Sequence, residues 1–258
     1  MALSCTATGH NIRITSPTTY PTATGTVAIR VRPNWNHNDS VDHKIWWHDV
    51  SNGAANSSSL RFQKFSDNNV YIGWVGSVGP DDDRIAYTAT SADFTNGTWN
   101  SHVFTWSDSA NTSEYFTAGT SRATRTSALI TYTVGGEQTI GNTSSGATQA
   151  NADAALADYA LWDVILTAGE IAAYDRGLDA RMIRPESLVR FAPLLGNNST
   201  EPDVVFGQGW TVTSATKADH PRVFRPKRRD TTVGTVGGGG GSTQPPRSMH
   251  TTRLWRAA

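Results

Sequence analysis

Residues 153–179, DAALADYALWDVILTAGEIAAYDRGLD, constrain this chain more than any other stretch. The first half alternates: Leu156, Asp158, Ala160, Trp162 and Val164 interleave with Ala157, Tyr159, Leu161, Asp163 and Ile165. A period of two marks a strand, and Leu161, Trp162, Val164 and Ile165 are too apolar for either face to meet water. Thr167 then opens T-x-x-E with Glu170, a capping box in which each side chain satisfies the other residue's free backbone N–H. Ile171, Tyr174 and Leu178 fall at i, i+3 and i+7, one apolar stripe, and Gly177 stands where a helix stops. The stretch therefore predicts a buried strand followed at once by a two-turn helix.

The rest of the chain reads as strands and turns. Alternation predicts strands over 11–15, 25–32 and 43–50, a hairpin of 59–65 and 70–75 across 66–69, and strands over 85–90, 101–106, 115–118 and 127–133. In the second of these Val27, Ile29 and Val31 face inward, and Pro33-Asn34 ends it. Hydrophobic residues make up only 37% of the chain, so many short strands with polar turns are favoured, and nine Trp supply apolar area that aliphatic residues do not. A chain of 258 residues with this pattern is expected to form one large β domain. No repeat of fixed period points to a propeller or solenoid.

Beyond residue 180 the character changes. Residues 184–189 predict a short helix with Pro185 near its start, and Phe191, Pro193, Leu194 and Leu195 an apolar clasp on the domain. Residues 203–206 and 210–214 bracket Gly207-Gln208-Gly209 as a further hairpin. From Lys217 the chain is basic and Pro-spaced, with a five-glycine linker at 237–241 and the hook Arg253-Leu254-Trp255-Arg256. The expected organisation is a body over 1–180, a clasp over 181–216 and an extended arm over 217–258.

Three motifs resemble those of laminin G-like, concanavalin A-like jelly-roll domains over residues 1–180. They are the strand-helix unit with Glu170-Ile171, GTWNSHVFTW at 97–106, and Thr139-Ile140-Gly141. The Y-x-D-G hairpin of that family is reduced here to Glu114-Tyr115-Phe116-Thr117-Ala118-Gly119. The resemblance implies an all-β, antiparallel jelly-roll β-sandwich with one short helix, continued here by the extended C-terminal arm. Segments 184–198 and 213–226 also resemble extensions of concanavalin-like proteins of tailed phages, an analogy of sequence rather than of site.

Net charge is zero but unevenly placed. Residues 217–258 carry nine basic and two acidic side chains, a net of +7, and the other 216 residues hold thirteen basic and twenty acidic, a net of −7. An acidic body with a basic arm can bind copies of itself or other acidic surfaces. Arg222, Arg225, Lys227, Arg228, Arg229, Arg253, Trp255 and Arg256 are the expected partner-binding residues. No run approaches the ~20 apolar residues of a membrane span. The N-terminus lacks the layout of a secretory signal. Cys5 is the sole cysteine, which excludes a disulfide within the chain and leaves a small buried or terminal thiol.

Glycoside hydrolysis needs two carboxylates across the scissile bond. Neighbouring positions on one strand face would supply them as E-x-D-x-E, whereas Glu occurs singly at 114, 137, 170, 186 and 201. No nucleophile elbow, phosphate loop, dinucleotide fingerprint or nucleic-acid recognition motif appears. Asp81, Asp82 and Asp83 could offer oxygens to calcium, which related domains hold in rim loops, against the reading of a solvated acidic turn. His37, His43 and His48 lie among Asp39, Asp42 and Asp49, but His43 and His48 fall on opposite faces of one strand, which disfavours zinc. Trp35, between two Asn, and Trp74, near a glycine loop, are the candidate sugar platforms, set against the burial expected of most Trp.

These features lead to an expectation of no enzymatic activity and no cofactor beyond calcium. A virion structural protein is expected, a capsid-surface decoration module whose arm binds other virion proteins or copies of itself. The alternative is a glycan-binding adhesin or tail-fibre lectin. Neither nucleic acid nor membrane is expected as a partner.

Overall fold

The computed structural model describes residues 2–7, 10–15, 20–21, 23–49, 59–75, 82–127, 137–142, 151–196 and 199–224, with backbone alone at 15, 47–49 and 82–83. The expected candidates Asp81, Arg225, Lys227, Arg228, Arg229, Arg253, Trp255 and Arg256 lie outside the described residues.

The strands are β1 (Ala2–Cys5), β2 (Asn11–Thr15), β3 (Thr24–Pro33), β4 (His43–Asp49), β5 (Ser59–Lys64), β6 (Asn69–Val75), β7 (Asp82–Thr88) and β8 (Asn100–Ser107). They continue with β9 (Thr112–Thr117), β10 (Thr120–Thr126), β11 (Glu137–Ile140), β12 (Ala154–Trp162), β13 (Leu188–Ala192), β14 (Thr200–Glu201), β15 (Trp210–Thr213) and β16 (Thr216–Ala218). One helix, α1 (Ala168–Asp175), follows β12. The first sheet runs β10-β9-β8-β3-β12-β1-β16, with β13 also on β12; the second runs β14-β15-β2-β11-β4-β5-β6-β7. Every strand pair is antiparallel. The expected all-β sandwich is the fold.

The main core lies between the sheets, with Val27, Ile29, Val31, Trp46, Phe62, Ile72, Trp74, Trp106 and Trp210 among its members. A second core covers the outer face of the first sheet, where Ala28, Val103, Ala160 and Trp162 meet Leu166, Ile171 and Tyr174 of the strand-helix unit. The predicted capping box is present: Thr167 Oγ1 accepts from the Glu170 N–H at 3.3 Å, and a Glu170 carboxylate oxygen accepts from the Thr167 N–H at 2.8 Å. Ile171 and Tyr174 are the buried face of α1.

The alternation read from residues 153–179 holds only in its first part. All nine residues of β12 are buried, and a register shift against β3 falls between Ala157 and Ala160, where Asp158 takes a left-handed φ of 52°. An inserted residue resets the pleat. Ala154 and Leu156 before it, and Tyr159 and Leu161 after it, all reach the inter-sheet core, while Ala160 and Trp162 turn outward beneath α1. Unbroken alternation would have driven the Asp158 carboxylate into the inter-sheet core, at a cost no core of this kind offsets. The bulge instead turns it to the outer face, where it pairs with Arg30.

Residues 181–224 are strands of the sandwich rather than a clasp laid upon it. β13 pairs with β12, β15 with β2 and β16 with β1, so this segment contributes to both sheets. Only Pro185–Ser187 of the expected helix is helical, as a single 3-10 turn, because Leu188 already enters β13. The expected hairpin is formed by β14 and β15, not by 203–206, which instead make a turn closed on the Asp203 carboxylate. β1, which sequence patterning missed, fills the place beside β12. Cys5 on it is buried against Gly141, where burial pushes its thiol up to about 12.

Candidate functional site

The two tryptophans expected to present their rings to sugar are core residues. Trp35 is 5% exposed, stacked on His43 at 3.9 Å and tilted against Phe94 at 4.7 Å, and its Nε1–H donates to the Ala152 carbonyl at 2.9 Å. Trp74 is 1% exposed and meets Trp106 and Tyr20 edge-on, each at 5.8 Å. It falls in phase with Val70 and Ile72, the inward positions of β6, and a ring on that face has no access to a ligand.

Of the histidine group, His43 is engaged with Asp39 and Lys64. His43 Nε2 lies 2.7 Å from an Asp39 carboxylate oxygen, and Lys64, fully buried, pairs with the other Asp39 oxygen. Burial holds the His43 pKa below its ordinary value against the pull of Asp39. Asp39, for its part, is held below the usual carboxylate range by Lys64 and His43, which outweigh its own desolvation. Among the described residues no three His, Cys, Asp or Glu side chains are arranged to hold a metal ion. Asp82 and Asp83 run in β7 opposite Val75 and Trp74.

The outer face of the second sheet carries a different arrangement. Tyr71 alternates with the buried Val70 and Ile72 and therefore points outward from β6. The turn before it, Phe65–Asn69 in sequence, is closed by Phe65 N–H to Asn69 O at 2.9 Å and Asn68 N–H to Phe65 O at 2.9 Å, with Asn68 at a φ of 65° that Asn tolerates well. Asp67 within this turn accepts three hydrogen bonds: from the Asn69 N–H at 2.9 Å, the Asn69 side-chain amide at 3.0 Å and the Tyr71 hydroxyl at 3.1 Å. The Asn69 N–H leads in holding the Asp67 carboxyl below its ordinary range, with burial working against it and the Asn69 amide and Tyr71 hydroxyl adding to it. On Tyr71 the effect is reversed, burial first and then the Asp67 charge raising the phenol.

Arg84 on β7 stands opposite Gly73, whose missing side chain leaves the guanidinium a path to the Tyr71 ring, 5.0 Å from its centroid. Phe65 meets the same ring edge-on at 5.0 Å. Together Phe65, Ser66, Asp67, Tyr71 and Arg84 line a recess of about 300 Å³. It combines two aromatic rings with a charged acceptor, a planar cationic donor and a hydroxyl. That set can pack on an apolar ring face while exchanging hydrogen bonds with the hydroxyls around it. Its volume is at the small end for ligand pockets, suited to a single ring. Among the described residues Asp67 is the one carboxylate lining it. A cleft of about 400 Å³ on the other sheet, lined by Ser4, Arg32, Lys217, Ala218 and Asp219, contains no ring.

Sequence reading passed over Tyr71 and Arg84 in favour of the tryptophans. The signal was available: in NVYIGW the tyrosine is the one aromatic out of phase with the core positions, directly after an Asp-Asn-Asn turn.

Two eight-stranded antiparallel sheets packed face to face, with a short capped helix after the long central strand, define a lectin-like jelly roll. Residues 6–172 match the laminin G-like branch of the concanavalin A-like lectin/glucanases superfamily, and the chain belongs to that family. No curated protein matches its sequence. The fold is similar to that of a Bacteroides ovatus protein of inferred carbohydrate binding (TM-score 0.60, 12% identity), over 86% of this chain and 60% of that one. This chain therefore spans about 60% of that relative's length. A heptameric SAP-like pentraxin from Limulus polyphemus aligns over 64% of this chain and 75% of its own, at 17% identity and a TM-score of 0.46. The binding domain of botulinum neurotoxin serotype G aligns over 64% and 40%, at 14% identity and 0.47. The phage context expected from the C-terminal extensions has no counterpart among these similarities.

Proposed function

We propose that the chain is a non-enzymatic, glycan-binding module and that one sugar residue is held in the recess around Tyr71. The observation that carries this reading is the recess itself: an outward ring, braced by Phe65 and Arg84, beside a carboxylate already oriented by three donors. Hydrolysis of a glycosidic bond calls for a second carboxylate across a sugar-sized gap, and among the described lining residues Asp67 is the one carboxylate. A glycan array followed by calorimetry on the best ligand tests the reading. Tyr71→Ala and Arg84→Ala are each expected to weaken binding about 5- to 30-fold, since stacking and charge-assisted hydrogen bonds contribute about 1–2 kcal/mol apiece. Unchanged affinity in both variants, or an array with no signal, refutes it.

A second reading is supported by the charge division, −7 over residues 1–216 and +7 over 217–258. In it the module decorates a virion, and Arg222, with the basic residues after it, grips neighbouring subunits. Arg222 is exposed, two residues before Phe224 joins the body. Because β16 and Phe224 belong to the sandwich, the informative truncation begins at residue 225. It is expected to leave a folded monomer that no longer enters particles; normal incorporation of the truncated chain refutes this role.

A further inference from the structure

The last described residues cross the outer face of the first sheet, and a largely buried ionic cluster helps to hold them there. After β16 the chain places His220 beside Asp158, the residue inserted at the β12 bulge. His220 Nε2 lies 3.4 Å from Asp158 Oδ1 and 3.3 Å from the Pro193 carbonyl, and its Nδ1 lies 2.8 Å from the Pro221 carbonyl. Every one of these oxygens can only accept a hydrogen bond, so the ring that satisfies all of them is the charged one, with hydrogen on both nitrogens. The neutral ring would turn one lone pair against an oxygen.

The carboxylate is itself fixed from the far side. Arg30 of β3 pairs with Asp158 Oδ2 at 3.1 Å, with both side chains 6% exposed. The same guanidinium donates to the Tyr174 carbonyl and, at 3.4 Å, to the Asp175 carbonyl, at the end of α1. Tyr174 in turn donates its hydroxyl to the Asp158 carbonyl at 2.6 Å. One carboxylate thus pairs with two cations, Arg30 tied to the helix and His220 to the departing segment, while Arg181, held on Asp179, adds a third positive charge within its field. On that segment Lys217, Asp219 and Arg222 are exposed.

What remains to hold residues 219–224 is small. Phe224 forms a single parallel bridge beside Leu178, donating its N–H to the Gly177 carbonyl at 2.7 Å and accepting from the Asp179 N–H at 3.3 Å. Its ring is 63% exposed and borders a recess of about 290 Å³ with Ala173, Arg176 and Leu178.

We infer that residues 219–224 form a proton-operated latch, closed when His220 is charged against Asp158 and opened when it is neutral. Burial disfavours the charged ring, but Asp158 and the two carbonyls outweigh it, and the His220 pKa stands above its ordinary 6.5. The sign follows from linkage. The raised pKa contributes stability that is complete below about 6.5 and is lost as pH rises through the higher folded value. Opening frees the Phe224 strand bridge and dismantles the recess that its ring completes, leaving β16 as the last fixed point before the basic segment.

Hydrogen exchange on the full chain tests this, read as protection factors so that the intrinsic pH dependence of exchange cancels. The Phe224 and Asp179 amides are expected to be several-fold better protected at pH 6 than at pH 8.5, because a pKa raised in the folded state makes the closed segment more stable at the lower pH. Amides of β3 and β8 should not change. In His220→Gln, whose side chain does not titrate, the two amides are expected to show the same protection at both values. Nitrogen NMR of the wild-type ring gives an independent reading, with a midpoint above 6.5 expected. Wild-type protection that is flat with pH, an equal pH response in His220→Gln, or a midpoint at or below 6.5 would each overturn the latch.

Discussion

Replacing Asp203 with Ala probes how firmly residues 181–224 belong to the sandwich. Arg190 on β13 and Asp203 are both fully buried and pair at 3.2 Å between Nη1 and Oδ2. The other carboxylate oxygen accepts from three backbone N–H groups: Phe191 at 3.2 Å, Val205 at 3.1 Å and Phe206 at 3.0 Å. Asp203→Ala leaves a buried guanidinium without its counter-charge and orphans three donors. Removing one partner of a buried pair costs about 3–5 kcal/mol. Arg190→Met is a different perturbation: the carboxylate keeps its three donors, and the apolar stem still packs under Phe206, over which the guanidinium now lies at 4.8 Å. Its cost should be smaller, because the carboxylate left behind is still stabilised by three backbone N–H donors, whereas the guanidinium left by Asp203→Ala loses its counter-charge. Equilibrium urea unfolding followed by tryptophan fluorescence measures both. For a domain of this size 4 kcal/mol corresponds to a fall in Tm of about 10 °C. The double variant should be less unstable than the sum by about 1–3 kcal/mol, because Asp203→Ala no longer strands a charge. Equal losses in the two single variants, or strict additivity, would refute the assignment of the damage to an unpaired cation.

Gly141→Ala should cost about 2–3 kcal/mol in the same urea assay, since a Cβ there would sit 2.5 Å from Cys5 Sγ on a backbone with a φ of 87°. Cys5→Ala in that background should return part of the loss, and no recovery would place the whole cost in the backbone. His102, fully buried between Phe94 and Tyr115, has its pKa pushed down to about 3, chiefly by burial and secondarily by Arg122. A lowered histidine pKa means that the unfolded chain binds the extra proton first, so stability is complete above pH 6.5 and falls on acidification towards 3. Between pH 6.5 and 5 the loss from this group is about 2 kcal/mol. His102→Phe should show a shallower fall in urea midpoint over that range, by about one proton, and an unchanged slope would show that the native ring is already charged.

The sequence by itself determined the class of fold and the pieces that are locally specified. Period-two patterning placed β2, β3, β5 and β6 within a residue or two, because strands that bury one face write their phase into alternate positions. The Thr167–Glu170 cap and the stripe of Ile171 and Tyr174 were equally legible, since a capped two-turn helix depends on neighbours three and four residues away. Tertiary structure decided what depends on partners distant in sequence. Trp74 is core because of the face that β6 presents, and Trp35, in the bend after β3, because its ring stacks on His43 and Phe94 and its Nε1–H reaches the Ala152 carbonyl. Asp158 looked like one more alternating residue, yet a single inserted position in β12 reset the pleat for everything after it and faced the carboxylate towards Arg30 and His220. The Tyr71 recess has the same origin. Its turn, its ring and Arg84 are each ordinary in sequence, and they become a site only where β6 and β7 pair in a register that sets Arg84 opposite Gly73. Such register is fixed by the whole sheet packing against its partner, through contacts that no window of sequence contains.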